Sequence, residues 1–275
     1  MPGCPAFSES SSRSDSPIQQ TTSASEPTAP GSNEPAPNEP QATLSSGAPL
    51  APIRIDPRLV PIVDDGERLP AVAADRLRPD ALRQRFAAPP HWKPEMTGDG
   101  LRFQVKPRDA AVLVPIVLRP EGPTVLLTER TAHLSSHAGQ VAFPGGRRDP
   151  EDASVQAAAL REAQEEVGLS REYVEIIGHL PEYMTVTGYR VTPVVGLVRP
   201  DFTLTLQVTE VAAAFEVPLA FLMDPAHHQK RRMTTETGHR TFFAMPYRVP
   251  QSQREFFIWG ATAAMLRNFY RFLSA

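Results

Sequence analysis

Two adjacent glycines a few residues ahead of an acidic helix constrain this chain more than any other feature. They lie in the stretch from Phe143 to Leu169. Pro144, Gly145 and Gly146 interrupt any preceding strand, and the glycines let the backbone approach a bound group closely. Two helix starts are available downstream: Pro150 in a first turn, or Ser154 as N-cap. Ala157 to Leu160 favour helix, and Gly168 stands where a left-handed C-cap residue belongs.

The helix carries Arg161, Glu162, Glu165 and Glu166. Spacings of three and four put the three carboxylates on one side, with Arg161 beside them. Leu160, Ala163 and Val167 are expected to form an opposing apolar stripe that docks on a sheet. Like charges so spaced destabilise a helix, and a divalent cation would remove that cost. Oxygen ligands suit a hard ion such as magnesium or manganese. A solvated acidic face is the plain alternative. Against it stand the absence of interleaved lysines, the Gly-Gly loop at short distance, and the glycine directly after the acids.

These residues resemble the Nudix box. Arg161-Glu-Ala-Gln-Glu-Glu-Val-Gly-Leu169 matches its second half at every defined position. The first half carries one extra residue between loop and helix, so the first box acid is either Glu151 or Asp152. The resemblance implies a Nudix fold of the α+β class, an α/β/α sandwich around a mixed β-sheet. It implies Mg2+ or Mn2+ held by Glu162, Glu165, Glu166 and the carbonyl of Gly145. Arg161 would orient the glutamates, and a general base would lie outside the box, with Glu210 the candidate.

A second resemblance lies upstream. Leu126, Leu127, Thr128, Arg130, Gly139 and the run Phe143-Pro-Gly-Gly146 fit the signature of the coenzyme A pyrophosphatase branch. Thr131 replaces a Ser or Ala of that signature, and Ser135 replaces an arginine. The resemblance implies cleavage of the diphosphate of coenzyme A or its thioesters, giving adenosine 3′,5′-bisphosphate and 4′-phosphopantetheine or its acyl derivative. Arginine reads phosphate through a planar fork of donors. Arg130 is therefore a candidate substrate contact, and His133, His137, Arg147 or Arg148 can replace the missing arginine. ADP-ribose or NADH is the rival substrate within the family, and a non-catalytic nucleotide sensor is the rival outside enzymology.

Composition bounds the rest. The net charge of −3 gives no reason to expect a nucleic-acid partner. The lone Cys4 excludes an internal disulfide, which suits a reducing, cytoplasmic setting. No apolar run approaches a membrane span, and Met1 to Ser16 has no apolar segment for export. Residues 1–50, rich in Ser, Pro, Thr, Ala and Glu, are expected to be disordered. Residues 51–107 read as an N-terminal arm with a short helix from Asp80 to Phe86, and 108–275 as the Nudix domain, monomeric or homodimeric.

Within that domain Ala110 to Leu118 reads as a buried strand in which Pro115 marks an irregularity or an edge. Thr124 to Arg130 is its return strand. Val174–Leu180 and Arg190–Val198 read as strands joined by a long loop, Pro181 to Tyr189. Thr209 to Leu219 is expected to run from strand into a short helix. A hairpin turns at Glu236-Thr-Gly238, with Lys230-Arg-Arg232 on a solvated face. After a strand at Glu255–Trp259, a closing helix presents Met265, Phe269 and Phe272 to the core.

Overall fold

The apolar run from Ala110 to Leu118 becomes the central part of β1 (Arg108–Arg119). The computed structural model describes residues 56–63, 68–99, 106–132, 139–235 and 238–275. Contacts divide the chain into Met1–Pro52 and Ile53–Ala275. The first unit, and with it the segment expected to be disordered, lies outside the described residues.

β1 pairs in parallel with β7 (Tyr189–Val198) along most of its length, and antiparallel with β2 (Gly122–Arg130). With β3 (Val141–Ala142) and β5 (Val174–His179), the strand order is β3-β2-β1-β7-β5. β4 (Gly145–Arg147) pairs with β1, β6 (Tyr183–Met184) with β7, and β8 (Val211–Pro218) with β2. The sheet is therefore mixed, as the sequence implied. β6 forms inside the stretch expected to be a loop, through the pairs Tyr183↔Val191 and Met184↔Arg190.

Pro115 does not lie on an edge strand. One flank of β1 is covered by β4 at Ala110–Val112 and by β2 from Ile116 onward. The Leu113 amide donates to the Pro144 carbonyl on that flank, at 2.8 Å. Residues two apart present their N–H groups to the same side. The missing N–H of Pro115 thus falls where β4 hands over to β2, the irregularity that the sequence offered as the alternative to an edge.

Each face of the sheet has its own core. On one face α2 (Val155–Val167) packs Ala158, Ala159, Ala163 and Val167 against Ala111, Leu113 and Val117 of β1 and Val194 and Val198 of β7. On the other, α4 (Gly260–Ser274) packs Leu266, Phe269 and Phe272 into a cluster with Val114, Ile116, Val195 and Leu197. Met265, Phe269 and Phe272 are all buried, so their stripe belongs to the core. A second sheet of β9 (Gln229–Thr235), β10 (Gly238–Arg248) and β11 (Glu255–Trp259) packs on the α4 side, in the order β11-β10-β9. The short helix expected after β8 is α3 (Leu219–Leu222). α1 (Pro79–Ala87) brings Phe86 to 4.7 Å from the Phe272 ring. Among the described residues no helix is long and apolar enough to cross a membrane.

Arg231 departs from the solvated face expected for residues 230–232. It is 8% exposed, and its Nη1 donates to the carbonyls of Arg58 and Val60 at 2.8 and 2.7 Å. It thereby satisfies a 3-10 turn at Pro57–Leu59 that leads into a bridge between Ile62 and Arg231. A buried guanidinium needs such acceptors because it cannot shed its charge.

Candidate active site

Ser154, not Pro150, starts the acidic helix: its Oγ accepts from the Ala157 amide at 3.1 Å. Gly168 ends it at φ 73°, a left-handed cap. The chain then returns to that end. The amides of Thr205 and Gln207 donate to the carbonyls of Val167 and Glu166, each at 2.9 Å. Carbonyls that the last turn cannot satisfy internally are thus used to fix the segment leading to Glu210.

The stripe of Leu160, Ala163 and Val167 packs toward the sheet as expected, and the three box glutamates differ in burial. Glu166 is 6% exposed and Glu162 lies half-buried, whereas the Glu165 side chain is 59% exposed. Ala159 and Ala163 flank Glu162 and Glu166 on the sheet-facing side, so helix packing carries two carboxylates inward with it. Both arrive over Gly145 and Gly146, which the sequence read as a loop and which pair with Val112 and Ala111 of β1 as part of strand β4. A Cβ on Gly146 would stand 2.5 Å from Oε2 of Glu162, so only glycine leaves the carboxylate its place. The Gly145 amide donates to Oε2 of Glu166 at 3.1 Å.

Burial pushes the Glu166 carboxyl up to about 7. The Gly145 amide and the Arg130 charge oppose that rise, while the negative charges of Glu162 and Glu210 add to it. Glu162 is also raised by burial, against the pull of Arg161. Two carboxylates placed together where water is scarce make an acceptor for positive charge.

Arg161 supplies part of that charge. Its Nη1 donates to Glu162 at 2.9 Å and to Glu165 at 3.0 Å. Nη2 reaches the Arg147 carbonyl at 3.1 Å, tying the helix to the end of β4. Nε and Nη2 grip Asp152 at 3.1 and 2.9 Å. Of the two acids left open by the sequence, Asp152 is buried and paired with Arg161, and Glu151 is exposed. Arg161 holds the Asp152 carboxyl below its usual range.

Arg130 arrives from the opposite side. The register of β2 against β8 shifts between Glu129 and Arg130, a bulge that re-aims the side chain at the end of the strand. Its Nη1 stands 3.7 Å from Oε1 of Glu166. Next to it the Thr131 amide donates to the Glu210 carbonyl at 2.9 Å, and the Thr131 hydroxyl to the Thr209 carbonyl at 3.1 Å. The hydroxyl at 131 therefore has a task in holding Glu210 near the box, which no periodicity in the sequence reveals.

Not every candidate converges. The Arg148 guanidinium donates to the Asp152 carbonyl at 3.1 Å, and the Arg147 side chain is exposed. His133 and His137 lie outside the described residues. Among the described residues, no group of three His, Cys, Asp or Glu side chains already stands as a metal ion would arrange it. The carboxylates turn to Arg161 and Arg130 instead. The donor set still fits a hard divalent cation, since it is all oxygen, partly desolvated, and brought together over a backbone that glycine keeps clear.

The sequence profile of the NUDIX domain matches residues 107–238. An uncharacterized Nudix hydrolase, NudL, of Cronobacter sakazakii is 46% identical over 176 residues, which is 64% of this chain and 86% of that protein. NudL of Escherichia coli O1:K1 is 48% identical over 162 residues, 58% of this chain and 80% of its own. Likeness of that degree over most of the relatives' length, with an Arg-Glu helix seated on its glycine pair, establishes that the chain belongs to the Nudix hydrolase family.

Proposed function

We propose that this Nudix hydrolase cleaves the diphosphate of coenzyme A or acyl-coenzyme A. The observation that carries the reading is the meeting of the two motifs. The strand bearing Leu126, Leu127, Thr128 and Arg130 ends with Arg130 beside Glu166, and Phe143-Pro-Gly-Gly146 lies beneath the same helix.

Glu162 and Glu166 would hold Mg2+ or Mn2+, together with Glu165 and the Gly145 carbonyl. A bound ion of this kind lowers the pKa of water and offsets charge on the leaving phosphate. In the reaction, water adds to one phosphorus, the bond from that phosphorus to the bridging oxygen breaks, and two phosphate monoesters leave. Glu210 is the candidate to take the water's proton, since its charge already acts on Glu166. Arg161 keeps Glu162 and Glu165 in place from its anchorage on Asp152. Arg130, which faces Glu166, would meet the diphosphate end of the substrate. The exposed Arg147 would be free to meet the 3′-phosphate.

The test is product analysis on coenzyme A, dephospho-coenzyme A, ADP-ribose and NADH, with magnesium and with manganese. Adenosine 3′,5′-bisphosphate formed with the highest kcat/KM from coenzyme A is the expected result. A preference for ADP-ribose or NADH would overturn the substrate, and no turnover on any of the four would favour a nucleotide sensor.

A further inference from the structure

We propose that Arg130 is a stand-in cation. It holds the open side of Glu166 until a divalent ion takes that place, then turns its guanidinium to the substrate diphosphate. The inference rests on the metal-site reading above and adds an order to it.

The two oxygens of Glu166 are treated differently. Oε2 is fixed by the Gly145 amide at 3.1 Å. Oε1 faces Arg130 at 3.7 Å, which is close enough for attraction and too far for a hydrogen bond. Arg130 is thus drawn to Glu166 without being locked to it. Arg161, by contrast, makes short bonds to Asp152, Glu162 and Glu165 and cannot leave without releasing all three.

The backbone of Arg130 is fixed while its side chain is not. Its amide donates to the Gln140 carbonyl at 3.0 Å, and its carbonyl accepts from Gly139 at 3.1 Å. The side chain is 27% exposed, and its contact with Glu166 is the 3.7 Å approach alone. A doubly charged ion on Oε1 would repel the guanidinium at contact distance, and the two cannot share that oxygen. The displaced fork then lies within a side chain's reach of phosphate oxygens bound at the same carboxylates, and its planar donors suit them.

The test measures metal binding without turnover. Mn2+ is titrated into the full chain without nucleotide, and free Mn2+ is followed by electron paramagnetic resonance. Arg130→Gln, which removes the competing charge, should bind Mn2+ about three- to tenfold more tightly than wild type. Arg130→Lys, which keeps the charge, should stay near wild type. In a second titration, α,β-methylene-ADP is the diphosphate probe. Mn2+ should strengthen its binding to wild type, and Arg130→Gln should lose about tenfold of that gain. Unchanged or weaker Mn2+ binding by folded Arg130→Gln overturns the proposal and leaves the metal site standing.

Should Arg130→Gln not fold, the wild-type protein decides. The Arg130 Nε–H resonance, assigned with Arg130→Lys, should shift on Mg2+ titration, and a resonance that does not move overturns the proposal. Glu166→Gln separates the underlying reading: Mn2+ binding as tight as wild type would remove Glu166 from the metal site, and this inference with it.

Discussion

Gly146→Ala is the sharpest probe of the site, because the structure separates its effect on stability from its effect on chemistry. The new Cβ would meet Oε2 of Glu162 at 2.5 Å and its Cδ at 2.6 Å. Ordinary contact lies near 3.5 Å, so the carboxylate must retreat by roughly 1 Å. The obstacle is the far end of a flexible side chain, so the fold can yield at a cost of about 1 kcal/mol. The chemistry cannot yield so easily. Glu162 would leave its 2.9 Å bond to Arg161 and its position beside Glu166. Displacing a reacting constellation by about 1 Å lowers rates by roughly a hundredfold. Gly146→Ala should therefore keep its fold, with Tm within about 5 °C of wild type by calorimetry, and lose about two orders of magnitude in kcat/KM at saturating Mg2+. Activity within threefold of wild type would refute the placement of Glu162 over Gly146 as a requirement of the reaction.

The other carboxylates should separate by burial. Glu166→Gln should lower kcat about a thousandfold, and the exposed Glu165→Gln only about tenfold, measured on the preferred substrate; equal effects would contradict the inward placement of Glu166. Asp152→Asn should lower both Tm and kcat/KM by loosening Arg161, at about 1–3 kcal/mol of stability, while Glu151→Gln should leave both unchanged. Glu210→Gln should depress the rate at neutral pH by about a hundredfold, against no change for the exposed Glu172→Gln. His228 should make stability pH-dependent. Its Nε2 bonds the Leu222 carbonyl at 2.8 Å, Nδ1 faces Arg267 at 3.4 Å, and burial pushes its pKa down to about 4. The unfolded chain binds this proton near pH 6.5 and the folded chain does not, so stability is full above that pH and falls as pH drops toward 4. Between pH 7.5 and 5, wild type should lose about 2 kcal/mol more than His228→Gln in urea unfolding; parallel losses would place the imidazole in water.

Much of the fold was legible because local chemistry and periodicity agreed. The apolar run at Ala110–Leu118 had to be a buried strand, and the caps at Ser154 and Gly168 had to bound a helix. The aromatic stripe of α4 had to be core. Pro115 marks an irregularity rather than an edge, a choice the sequence left open because it cannot say which neighbour covers which half of a strand. Of Lys230-Arg-Arg232, Arg232 is exposed as expected and Arg231 is not, because charge alone does not reveal carbonyls that arrive from residue 58 or 60.

The candidate site divides in the same way. Sequence alone was enough to say which residues stand close together: Gly145 beside Gly146, and Arg161, Glu162, Glu165 and Glu166 within two turns of one helix; it read the glycines as a loop, and pairing with β1 makes them a strand. Helical spacing is a local property and needs no partner. It could not determine which glutamates turn inward, that Asp152 rather than Glu151 anchors Arg161, or that Arg130 faces Glu166. Those depend on how α2 seats on β1 and β4, on a bulge between β2 and β8, and on the return of residues 205–210 to the helix end. Each is a contact between distant parts of the chain, fixed only when the whole sheet closes around its two cores.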